Sequence, residues 1–149
     1  MLPIFNKIKN NGFNVEELTN LDKAVLITTL LVECAKSDDN FSENEKNLIK
    51  KILKNKLHLE DDDIESCLSK ATENSDENIE IYSLTRDIRD NFSNEEILII
   101  FEYLWKIILS DGIVDDFESS MMTKLTGLFH LSGKESADAK NNAKESLNQ

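Results

Sequence analysis

From Leu21 to Lys36 the chain reads LDKAVLITTLLVECAK, apolar at most positions and without the strict alternation of a strand. Val, Ile and Thr favour strands, but the length and the polar flanks predict a buried helix. Ser42 and Glu45, three apart, form a capping-box pattern and open a helix with Leu48, Ile49, Ile52, Leu53 and Leu57 on one face. Lys46, Lys50 and Lys54 recur every fourth residue on another face, with Lys51 beside them. The acidic run LEDDDIE predicts the start of a helix over about 61–71, because carboxylates suit a helix N-terminus. A further helix is expected over about 77–90, with Ile79, Leu84 and Ile88 inward and Asn91 ending it. Ser93 and Glu96 repeat the capping box and open SNEEILIIFEYLWKIILS, apolar almost all round and therefore central. Trp105 within it is expected to lie buried between two helical hairpins. Met121, Met122, Leu125, Leu128 and Phe129 mark the last strong amphipathic helix.

The two ends of the chain are weaker. Leu2, Ile4, Phe5 and Ile8 predict a short first helix, ended by Asn10-Asn11-Gly12, with Phe13 and Val15 leading back to the core. From Ser132 onward only Ala and one Leu are apolar, which predicts a frayed helix or a disordered tail over 132–149.

The pattern is written twice. SDDNFSENE starts at Ser37 and SDGIVDDFE at Ser110, a shift of 73 residues that also places Leu31 on Leu104, Cys34 on Ile107 and Glu45 on Glu118. One residue then drops out, and Leu57-His58-Leu59 falls on Phe129-His130-Leu131. Each half, about 21–59 and about 93–131, is a buried helix, an acidic turn and an amphipathic helix. The fold class expected is all-α, with two pseudo-symmetric helical hairpins in one compact bundle over residues 1–131 and the two apolar helices touching at its centre.

Composition narrows the partners. One Pro and four Gly suit helices rather than a barrel or sandwich. The net charge of −12 repels phosphate backbones, so nucleic acid is not an expected partner, and cations and basic surfaces are. No signal-peptide pattern is seen, and the most apolar stretch, Ile97 to Leu109, is short and holds Glu102 and Lys106, so no transmembrane segment is expected and the cytoplasm is the expected address. Cys34 and Cys67 lack metal spacing and read as reduced, buried or half-buried thiols. There is no GxSxG, no legible Cys-His pair and no Gly-rich phosphate loop, and no enzyme is read from the sequence.

Two hairpins, each broken by an acidic turn of the form (A/S)-D-G-x-(I/F/V)-x-x-x-E, resemble the TerB-like domain, named for tellurite resistance. A related version forms the N-terminal part of some DnaJ-type membrane co-chaperones. Ser110-Asp111-Gly112-Ile113-Val114-Asp115-Asp116-Phe117-Glu118 fits the turn; Ser37-Asp38-Asp39-Asn40-Phe41-Ser42-Glu43-Asn44-Glu45 departs at Asp39, where Gly is usual. The resemblance spans roughly Leu21 to Leu131. It implies about seven helices, no established enzymatic activity, and a divalent-cation role for the acidic cluster, carried here by Asp38, Glu45, Asp111 and Glu118.

The residues themselves support two readings of these turns. Ser42 with Glu45, and Asp115 with Glu118, are what helix caps require, and Gly112 suits a tight turn. Yet Asp39 and Asp115 add oxygens that hard cations favour, so calcium or magnesium is the candidate cofactor ahead of zinc. An EF-hand loop is excluded, since Glu43 replaces its turn Gly and Ile49 its bidentate Glu. His58 and His130 have no second ligand at zinc spacing and read as helix-end residues near the dipole. The partner expected is another protein, including one associated with a membrane, with Lys46, Lys50 and Lys54 as a candidate docking stripe. The function classes are a non-enzymatic, cation-linked module of a tellurite or other stress response, and a co-chaperone-type adaptor whose acidic turns only cap helices.

Overall fold

The computed structural model describes residues 20–35, 42–76, 81–110 and 116–147. Among them are seven helices and no strand: α1 (Asn20–Ala35), α2 (Glu43–Asn55), α3 (Asp61–Asp76), α4 (Ile81–Asn91), α5 (Asn94–Leu109), α6 (Asp116–Leu128) and α7 (Gly133–Leu147). The expected first helix over Leu2 to Ile8, Ile79, and most of both acidic turns lie outside the described residues.

The centre is as expected. α1 and α5 touch, and they are the two most buried helices. Leu26, Leu30, Leu31 and Val32 of α1 and Phe101 and Leu104 of α5 are fully enclosed. The hydroxyls of Thr28 and Thr29, buried in α1, donate to the carbonyls of Ala24 and Val25 at 2.6 and 2.7 Å, which satisfies them inside an apolar core.

The two helices run in the same direction. Lys23, in the first turn of α1, holds its ammonium 5.6 Å from the ring centre of Phe92, just ahead of α5. Glu96, in the first turn of α5, feels the Lys23 charge. Their C-terminal ends, which lead into the two acidic turns, therefore also lie together.

The repeat is larger than a hairpin. α1 packs most extensively on α3, and α5 on α7, rather than each on the helix that follows it. α7 follows Leu131 as α3 follows Leu59, so each half is a unit of three helices, joined by α4. Beside the two expected hairpins, the stretch expected as a frayed helix or a disordered tail holds the third helix of the second unit. Residues 133–147 form a helix because Ala139 and Ala143, one turn apart, bury against the bundle at the places of Cys67 and Ala71. Its start carries a capping box: the Ser132 N–H donates to Glu135 Oε1 at 2.9 Å and the Glu135 N–H to Ser132 Oγ at 3.0 Å. Trp105 is buried, but its ring faces α7, where Lys140 stands over it, rather than a seam between hairpins.

Both units close their second helix alike. His130 donates its N–H to the Gly127 carbonyl and Leu131 to that of Thr126, at 3.1 and 2.9 Å, a Schellman cap with His130 at φ 58°. In the first unit Leu59 donates to Leu53, the equivalent of Thr126, at 3.1 Å, with His58 at φ 56°. The one extra residue of the first copy is taken up inside this cap.

Candidate functional site

Asp38, Asp39, Asp111 and Asp115 lie outside the described residues; Glu45 and Glu118 lie within them. The Glu45 carboxylate is engaged locally. Its Oε1 accepts from the Ser42 N–H at 3.1 Å and the Ser42 hydroxyl at 3.0 Å, while the Glu45 N–H donates to Ser42 Oγ at 3.1 Å. These bonds satisfy amides that the first turn of α2 leaves open. Glu118, one repeat later, lies in the first turns of α6 and is half-buried. Its charge reaches Cys34 near the end of α1.

Burial pushes the Cys34 thiol far above its ordinary range, with Glu33 and then Glu118 adding to the effect. Burial likewise raises Cys67, to about 11, with Asp63 adding and Lys70 opposing. Both thiols are free and buried, inert as nucleophiles at neutral pH. Glu118, near the start of α6, thus acts electrostatically on Cys34, near the end of α1. The first acidic turn follows α1 in the sequence and the second precedes α6.

The lysine stripe meets the acidic run of the same chain. Lys50 pairs with Glu65 at 3.1 Å, Lys54 with Asp61 at 3.7 Å, and Lys46 with Glu43 at 3.7 Å. All are exposed pairs of small energetic weight. The two histidines sit at the caps described above, and Arg89 Nη1 lies 2.7 Å from His130 Nε2. A guanidinium only donates, so Nε2 is the acceptor in this contact. Among the described residues no group of three or more His, Cys, Asp or Glu is placed to hold a metal ion.

One charged group was not legible in the sequence. Lys106 sits in the last turn of α5 with its side chain only 7% exposed, 3.8 Å from Glu102 and 5.8 Å from the ring centre of Tyr103. Burial lowers its pKa; Glu102 opposes that and Lys56 adds to it. A Glu-to-Lys spacing of four reads as a surface pair on any helix, and only the packing around α5 makes it a buried one.

Two tandem three-helix units around a parallel central pair define an all-helical repeat domain. The family of tellurite resistance protein TerB matches residues 24–141, and the chain belongs to it. No curated protein and no solved structure matches the chain. Among the described residues no helix is long and apolar enough to cross a membrane.

Proposed function

We propose that the chain is a non-enzymatic binding module of a tellurite or other stress response, and that its two acidic turns together take a divalent cation. The observation behind this reading is the shared end of the bundle: α1 and α5 run in the same direction, and Glu118 lies within electrostatic reach of Cys34. Asp38, Asp39, Asp111 and Asp115 follow from those helix ends in the sequence. Calcium or magnesium suits such oxygen ligands better than zinc, and the net charge of −12 favours any cation. Thermal melting in calcium, magnesium, manganese and zinc, each against sodium chloride of matched ionic strength, tests the reading. A rise in melting temperature with calcium or magnesium beyond the salt control supports it; no cation-specific rise contradicts it.

A second reading has its own support. Glu45 is engaged as a cap residue, which is what a protein-interaction adaptor of co-chaperone type requires if its acidic turns serve structure alone. It predicts the same melting temperature in every cation.

A further inference from the structure

The two units offer an internal comparison. α3 is anchored by Ile64, Cys67, Leu68, Ala71 and Asn74, all buried. In α7 the equivalent positions are Ser136, Ala139, Lys140, Ala143 and Ser146, of which only the two alanines are buried. The same place in the fold is thus held by a helix without a large apolar anchor. Opposite α7, Trp105 stands where α1 has Val32. It is 7% exposed, with the Lys140 ammonium 5.0 Å from its ring centre. Its indole N–H is buried and has no hydrogen-bond acceptor among the described residues. A buried donor without a partner is unfavourable and rare, and α7 supplies nothing to relieve it.

We propose that the Trp105 face of α5 is a helix-binding seat, filled by α7 in the free protein and taken over by a basic amphipathic helix of a partner protein. The seat specifies its occupant: small residues where Ala139 and Ala143 pack, a cation over the indole ring, and an acceptor toward Trp105 Nε1. Charge decides between α7 and a competitor. The three lysines of α7 balance its three acids, so the −12 resides in the rest of the chain and draws a basic helix more strongly than it draws α7. The residues that link α6 to α7, His130 to Ser132, are the pivot. The proposal uses none of the residues of the cation reading, and its test contains no divalent cation.

Two measurements on the full chain test it. In hydrogen exchange, α7 amides exchange at least about tenfold faster than those of α3 and α5, through an opening that leaves both protected. Exchange of α7 together with α5 overturns the proposal. Trp105 is the single tryptophan, so its fluorescence follows displacement directly. The probe is a synthetic peptide of residues 133–147 carrying E135K, D138K and E145K. Saturable binding is expected at low salt, lost when the peptide instead carries K134E, K140E and K144E. Binding is expected to be about tenfold tighter to the full chain with Ala143→Glu, which loosens α7. Lys140→Ala serves the same purpose if Ala143→Glu does not fold. No saturable binding of the basic peptide, or equal binding of the acidic one, overturns the proposal.

Discussion

His58 and His130 hold the same left-handed backbone conformation, φ 56° and 58°, at the ends of α2 and α6. A side chain with a Cβ is strained there and glycine is not. His58→Gly is therefore expected to raise stability by about 1 kcal/mol, read as a higher denaturant midpoint. His130→Gly gains less, because it also removes the contact with Arg89. A midpoint lowered by His58→Gly would contradict the cap geometry.

Trp105 fills the space between α5 and α7. Trp105→Ala is expected to cost about 3–5 kcal/mol in denaturant unfolding, the usual penalty for removing a buried aromatic side chain. A loss below about 1 kcal/mol would mean that the face is not packed as described.

The cap of α5 carries a pH dependence. The Ser93 N–H donates to Glu96 Oε1 at 2.9 Å and holds that carboxyl below its ordinary range; burial opposes this, and the Ser93 hydroxyl and Lys23 add smaller effects in the lowering direction. A pKa lower in the folded than in the unfolded chain means that the bond stabilises fully above the ordinary carboxylate range. The contribution disappears as pH falls through the depressed value. Ser93→Ala should cost about 1 kcal/mol at neutral pH. Glu96→Gln, which keeps the bond without the charge, should match the wild type in acid and fall below it at neutral pH. Parallel pH profiles would contradict this.

Lys106 is buried, with one carboxylate, Glu102, near it among the described residues. Lys106→Met keeps the packing and removes the desolvated charge, so it is expected to stabilise by about 1 kcal/mol. The folded wild type releases this proton at lower pH than the unfolded chain does. Its deficit relative to the variant should therefore narrow as pH rises toward the ordinary lysine value. Denaturant midpoints of both proteins across alkaline pH check the sign.

Much of this architecture is written in periodicity. The burial of α1 and α5 follows from apolar residues on every face, and the Ser42 and Ser93 caps from Glu three residues on. α7 was not legible, because its buried face is two alanines, too small to register as an apolar stripe; Ser132 and Glu135 were the available signal. The partners of the lysine stripe were not legible either: periodicity places Lys46, Lys50 and Lys54 on one face but not Glu65 and Asp61 opposite. The parallel course of α1 and α5 was not legible, because a repeat in sequence leaves it open: a twofold axis can equally make such helices antiparallel.

The cation reading is tested most directly by comparing the wild type with Asp38→Asn/Asp111→Asn in calcium and in magnesium. Capping accounts for Ser42 and Glu45, and the cation reading takes Asp38 and Asp111 as its ligands. A weak site, with a dissociation constant of about 10⁻⁴–10⁻³ M, suits a loop with few fixed ligands. At about 100 times that concentration the wild type should gain roughly 2.7 kcal/mol over matched sodium chloride. The double variant should keep its helix content and gain nothing. Equal responses of the two proteins, or no response of the wild type beyond the salt control, would contradict the cation site and leave the turns as caps.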